Sequence, residues 1–86
     1  MAPYKLEFAP SVRKDLKKIH KKEVLRILAA VEDLAKDPRP IGSKKLTNEE
    51  LYRIRVGNYR VLYEIHDKRL IVHVVKVGHR RDIYRK

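Results

Sequence analysis

Hydrophobic and polar positions largely alternate along Leu51 to Ile65, LYRIRVGNYRVLYEI, with a turn signal at Gly57-Asn58. Alternation with period two predicts a half-buried strand. Gly-Asn between two such runs predicts a two-residue hairpin loop, because that turn needs positive φ, which Gly and Asn tolerate best. With those residues as the loop, Val56 faces Tyr59, Ile54 faces Val61 and Tyr52 faces Tyr63, which makes one apolar face. The other face pairs Arg55 with Arg60 and Arg53 with Leu62. Like charges directly opposed on neighbouring strands are destabilising. A sequence selected for folding alone avoids such a pair, so the pattern predicts a negatively charged third party.

The flanking patterns supply the other elements. Tyr4 to Phe8 alternates and predicts a short strand with Tyr4, Leu6 and Phe8 on one face. Pro10 suits an early helical position, and Ser11 is placed to cap nearby amides. Val12, Leu16 and Ile19 form a narrow helical stripe in an otherwise basic segment with Arg13, Lys14, Lys17 and Lys18. His20-Lys21-Lys22 marks a break. A second helix is expected from about Lys22 to Ala35, with Val24, Ile27, Leu28, Val31 and Leu34 on one 3.6-period face and Asp37-Pro38 as its stop. Arg39 to Asn48 reads as a loop. His66 to Arg69 turns the chain, and Leu70 to Val77 is a near-continuous apolar run, as in a strand covered on much of both faces. Its register stays open: a loop of three or five residues sets Lys76 beside Arg60, a two-residue loop sets Val75 there. The resulting order, β-α-α-β-β-β, predicts a single α+β domain over residues 1–86. Its sheet is small and antiparallel, with a two-helix hairpin on one face and Arg53, Arg55 and Arg60 on the uncovered face.

Composition narrows the function. Eighty-six residues support one modest core. The absence of cysteine excludes a disulfide framework or a thiolate metal site. No apolar run approaches the length of a membrane span, and MAPYKLEF has no basic-then-apolar signal pattern, so the expected location is the cytoplasm and no membrane partner is expected. The formal net charge is +11, and residues 51–86 carry 10 basic but only 3 acidic side chains. That concentration points to a polyanion, nucleic acid before membrane.

The candidate chemistry follows from this charge. Arg53, Arg55 and Arg60 present planar guanidinium groups suited to bidentate phosphate contacts. Arg80, Arg81 and Tyr84 set an aromatic platform for an unpaired base among cations, in a basic tail that also holds Arg85. Lys44, Lys45 and Lys76 are further candidates for contacts to RNA. The four histidines, His20, His66, His73 and His79, are too scattered for a local metal motif, and no carboxylate cluster, Gly-rich phosphate loop or Ser/His/Asp arrangement is present. No metal or cofactor is therefore expected. His73 reads as a hydrogen-bonded strand residue, whereas His79, bordering the tail, is a candidate proton carrier.

YRIRVGNYRVLYEI together with VGHRRDIYR resembles the RelE/ParE superfamily of toxins from toxin–antitoxin modules, and the likeness covers almost the whole chain. The resemblance, to the RelE branch first, implies a ribosome-dependent endoribonuclease that cuts messenger RNA without metal, by attack of the 2′-hydroxyl on the adjacent phosphate. It implies catalytic roles for Arg53, Arg55, Arg60, Arg80 and Tyr84: Arg60 and Arg80 stabilise phosphorane charge and Tyr84 stacks on the base. The family's first two basic positions are usually lysines. Arginine essentially cannot release its proton, so Arg53 and Arg55 offer charge rather than proton abstraction, which leaves two alternatives open: His79 or Tyr84 as the base, or catalysis by electrostatics and positioning. The resemblance also implies a cognate RelB-like antitoxin, the ribosome and messenger RNA as partners, with the antitoxin-bound form a hetero-oligomer; the free toxin is expected to be a monomer, because the predicted elements leave no strong apolar stripe exposed. Two other readings stay open: a ParE-like inhibitor of DNA gyrase, and a non-catalytic nucleic-acid-binding module.

Overall fold

A computed structural model describes residues 3–46 and 50–81. The elements run β1 (Lys5–Phe8), α1 (Pro10–Lys17), α2 (Lys21–Lys36), β2 (Lys44–Lys45), β3 (Tyr52–Val56), β4 (Tyr59–His66) and β5 (Ile71–His79). The strands form one sheet in the order β1-β5-β4-β3-β2. The expected α+β architecture is present, with two refinements. The loop after α2 contributes β2, a two-residue edge strand whose Lys44 pairs with Arg53 and Lys45 with Tyr52. The sheet is also mixed, because β1 pairs with β5 in parallel. The helical pair returns the chain to the end where β1 began, so β3 runs in the direction of β1. Two hairpin reversals later, β5 does so too.

Helix boundaries follow local chemistry. Pro10 opens α1 as expected, but Ala9 is the N-cap and no side-chain hydrogen bond caps it, so Ser11 does not take the capping role. The break between the helices is itself a cap: His20 precedes α2, and its Nδ1 accepts a bond from the Lys22 amide at 3.2 Å. Asp37 ends α2 in extended geometry before Pro38, as the steric rule for pre-proline residues requires.

The core lies between the helices and one sheet face. Val12, Ile27, Val31 and Leu34 meet Ile54, Val56, Val61, Tyr63, Val72, Val74 and Val77. Tyr63 is fully buried, and its hydroxyl donates to the Pro38 carbonyl at 2.8 Å, which satisfies the polar tip and ties the loop after α2 to the sheet. Burial pushes this phenol up to about 12. The same loop is held by Arg39. Its guanidinium bonds Asp67 at 3.0 and 3.2 Å and Tyr52 Oη at 3.3 Å, and lies over the Tyr52 ring at 5.2 Å. The Tyr4 hydroxyl donates to Asp67 at 2.6 Å.

Those bonds, Arg39 first and then Tyr4, lower the Asp67 carboxyl to about 2. A lowered carboxylate contributes stability that is fully present above its unfolded pKa, roughly 4, and is lost as pH falls through the folded value. Urea midpoints measured against pH are therefore expected to separate wild type from Asp67→Asn at neutral pH. The two should converge as the pH drops below about 4 towards 2. Curves separated by a constant gap would show that the carboxylate charge is not the stabilising feature.

Candidate functional site

The hairpin register is the expected one: Tyr52 pairs with Tyr63, Arg53 with Leu62, Ile54 with Val61, Arg55 with Arg60 and Val56 with Tyr59. Gly57 takes φ +60° while Asn58 stays outside the positive region, the pattern of a type II′ turn with glycine in its first position. Side chains paired across a ladder share a face. Arg53, Arg55 and Arg60 therefore stand together on the face away from the helices.

The β4–β5 register differs from each expected alternative. The connection spans four residues, with Leu70 in left-handed geometry at φ 55°, and the pairing shifts by one between Leu62 and Tyr63. Leu62 pairs with Lys76 while Tyr63 pairs with Val74, so Val75 is the extra residue of a bulge. Gly78, not Lys76 or Val75, lies opposite Arg60. A one-residue slip flips every later side chain to the other face. Lys76 and Gly78 thus fall on the arginine side, and Val77 and His79 on the helix side.

Two rows of this face result. Lys44, Arg53, Leu62 and Lys76 are in register across four strands, and Arg55, Arg60 and Gly78 form the next row. Leu62 is only 7% exposed although it belongs to the face without helices. The Arg53 Nε is buried and has no hydrogen-bond partner among the described residues. An unsatisfied buried donor costs about 1–3 kcal/mol, and Arg55 opposite Arg60 adds like-charge repulsion. The sheet carboxylates that share this face are Glu7 and Glu64, both in register with His73 towards β1. Glu64 is already engaged. It lies 3.2 Å from His73 Nδ1 and 3.3 Å from His66 Nε2, and these contacts, that of His73 first, lower its pKa. Four residues of strand, about 13 Å, separate it from Arg60. The face is therefore polar in the electrical sense: a carboxylate–imidazole cluster at one end, guanidinium groups at the other.

The remaining candidates divide. Lys44 joins the arginine rows. Lys45 pairs with Tyr52 on the helix side and bonds Glu50 at 3.6 Å, so it stands apart from them. Lys76 reaches towards Asp15 at 3.9 Å. The Arg80 amide donates to the Asn58 carbonyl at 2.9 Å, which pins the start of the basic tail at the hairpin tip beside Arg60, and both Arg80 and Arg81 are exposed. His79 packs edge-on against Tyr59, with ring centroids 5.7 Å apart, on the face opposite the arginines. Tyr84 and Arg85 lie outside the described residues. His73 is the hydrogen-bonded strand residue that the sequence suggested. Among the described residues no group of three or more His, Cys, Asp or Glu side chains converges as a metal site, and no helix is long and apolar enough to cross a membrane.

Known proteins share both the sequence and this architecture. The family described as the ParE toxin of the type II toxin–antitoxin system parDE matches residues 6–84. Toxin RelG of Mycobacterium tuberculosis is 40% identical, over 98% of this chain and 99% of its own length. The RelBE2 toxin–antitoxin complex of M. tuberculosis superposes with a TM-score of 0.81 at 31% identity, covering 91% of this chain and 99% of the matched one. The archaeal RelE–RelB complex of Pyrococcus horikoshii gives 0.82 at 28% identity, covering 95% and 99%. The hairpin with its opposed arginines, the helical pair behind it and these likenesses agree: the chain belongs to the RelE/ParE superfamily, the toxins of type II toxin–antitoxin modules.

Proposed function

We propose that this toxin is a ribosome-dependent messenger-RNA endoribonuclease of the RelE type, working in the cytoplasm. The observation that carries the reading is the register of Arg55 against Arg60, with the unpartnered Arg53 Nε in the adjoining row. Both features are unfavourable in the protein alone and become favourable when a phosphodiester lies across them. In the proposed reaction the 2′-hydroxyl of the bound nucleotide attacks the adjacent phosphorus and the 5′-oxygen departs. The attacking proton passes to solvent or to a ribosomal group, and the departing 5′-oxygen takes up a proton from the same source, which leaves a cyclic phosphate and a free 5′-hydroxyl. Arg60 and Arg80 stabilise the charge of the phosphorane, while Arg53 and Arg55 hold the chain in line. His79 is assigned no proton transfer, because it stands on the other face of the sheet. Catalysis thus rests on positioning and charge.

The antitoxin of such a module is expected to be an acidic, RelB-like protein that occupies or distorts the arginine face in a hetero-oligomer. The toxin complexes of M. tuberculosis and P. horikoshii support a partner of that kind. The second reading, a ParE-like inhibitor of DNA gyrase, is favoured by two observations. The matching family is the ParE one, and no general base stands among the arginines of the described residues.

One experiment separates them. Purified toxin is added to a reconstituted translation system and to a gyrase supercoiling assay, and message ends are mapped by primer extension. Cuts inside translated codons with unaffected supercoiling are expected. Blocked supercoiling with intact messages would establish the second reading instead.

A function-for-stability exchange should also be measurable. Arg55→Gln removes the opposed charge, so it is expected to raise stability by about 0.2–1 kcal/mol while lowering message cleavage. Denaturant midpoints and cleavage rates on the same preparations check it. A variant that is less stable and equally active would mean that the arginine pair serves the fold.

A further inference from the structure

A cleft of about 270 Å³ opens at the end of β5, between the last turn of α1 and the strand, and residues of both sheet faces line it. Its lining includes Asp15, Lys18, Ile19, Tyr59, Lys76 and His79, with Gly78 among them. It adjoins the arginine face through Gly78, which lines the cleft and pairs with Arg60 one strand away, about 5 Å. Glycine leaves no side chain to separate the two.

The chemistry inside the cleft is complementary to a nucleotide. Lys18 is exposed and makes no ion pair among the described residues. Asp15 does not make the cleft acidic: its Oδ2 accepts the Val77 amide at 3.2 Å, its Oδ1 lies 3.9 Å from Lys76 Nζ, and its side chain is only 17% exposed. The His79 Nδ1 accepts the Arg81 amide at 3.2 Å, which places the ring proton on Nε2 and makes that nitrogen a donor. Tyr59 and His79 meet edge to face at an interplanar angle of 79°, so one of the two rings keeps both of its faces free of the other, and Ile19 adds an apolar wall. Cations, an N–H donor and aromatic surface are the components of a sequence-tolerant site for single-stranded nucleic acid. An acidic peptide would use the cations but leave the ring surface without a partner.

We propose that this cleft is a second nucleotide subsite, which takes the base and phosphate next to the nucleotide held on the arginine face. The proposal rests on the reading of that face as an RNA site and adds a path: from the arginine rows, across Gly78, and round the end of β5 to α1. It also gives His79 a binding role in place of the catalytic one.

The test is fluorescence anisotropy with labelled single-stranded RNA, a trimer and a hexamer, at one low ionic strength. Wild type, Lys18→Ala, His79→Gln and Arg55→Ala are compared after thermal melts confirm folding. Wild type is expected to bind the hexamer more tightly than the trimer. Lys18→Ala and His79→Gln should each weaken the hexamer by about fivefold or more and change the trimer by less than about twofold, whereas Arg55→Ala weakens both. Equal binding of the two lengths by wild type, or a hexamer unaffected by the Lys18 and His79 changes, would overturn the subsite. An oligoglutamate that binds with the same dependence on His79 would also overturn it, in favour of an acidic protein segment. If Arg55→Ala leaves the trimer unchanged, the reading of the arginine face fails, and the length dependence still judges the cleft.

Discussion

Arg60→Ala is expected to lower message cleavage by about 10²–10³-fold, the cost of removing one preorganised group from a developing oxyanion, while the protein stays folded. Arg60 sits at the centre of the face, between Arg55 and Gly78 in register, and is half-buried. Partial burial lowers the local dielectric, so its charge acts more strongly on a bound phosphate than that of an exposed lysine. Losing the side chain also removes the opposed charge of Arg55, which offsets part of the lost packing. Arg60→Lys should recover only a fraction of the rate, because a point charge cannot reproduce the two-pronged contact of a guanidinium. Arg80→Ala belongs to the same prediction. Rates in a purified translation system, with circular dichroism on each variant, check it. Unchanged cleavage in both alanine variants would remove the proposed roles.

The second large effect is on the fold. Ile27 is completely buried at the centre of the α2 face, among Val12, Val31, Leu34 and the sheet valines. Ile27→Ala removes three carbons from a packed core and should cost about 2–5 kcal/mol. Against a total of about 5–15 kcal/mol for a domain, that is a large share, and it should lower Tm by roughly 4–8 °C for each kcal/mol lost. Activity should fall with the folded fraction and recover when the temperature is lowered. This separates it from Arg60→Ala, whose loss persists at every temperature where the protein is folded. A small shift in the calorimetric midpoint would mean that α2 contributes little to the core.

The two effects show where the sequence was informative. Period-two alternation and Gly57-Asn58 determine the β3–β4 register without outside information, so the grouping of Arg53, Arg55 and Arg60 was legible. So was the buried face of α2, where Ile27, Val31 and Leu34 recur at helical spacing. The β4–β5 register was not. The run Leu70 to Val77 is apolar on both sides, and such a run carries no alternation that marks where a bulge falls. That bulge decides which face His79 joins: with unbroken pairing from His66 and Ile71 it would share the arginine side, and with Val75 inserted it does not. The parallel pairing of β1 was equally silent, since a strand's own periodicity does not name its neighbour. Lys44-Lys45 carries no strand signal, because its pairing comes from the adjacent β3 edge. The Tyr63 hydroxyl is also informative: a phenol directed into the core needs a buried acceptor, and the Pro38 carbonyl provides it.

The most direct measurement of the central claim, that the guanidinium face grips a ribose–phosphate chain, is the salt dependence of RNA binding. The logarithm of the association constant for a single-stranded message fragment is plotted against the logarithm of salt concentration for wild type and for Arg53→Gln, Arg55→Gln and Arg60→Gln combined. Each phosphate contact to a single strand contributes about 0.7 to the slope. The combined variant should therefore show a slope shallower by about 2 and weaker binding at low salt. Identical slopes for the two proteins would contradict phosphate recognition by these arginines.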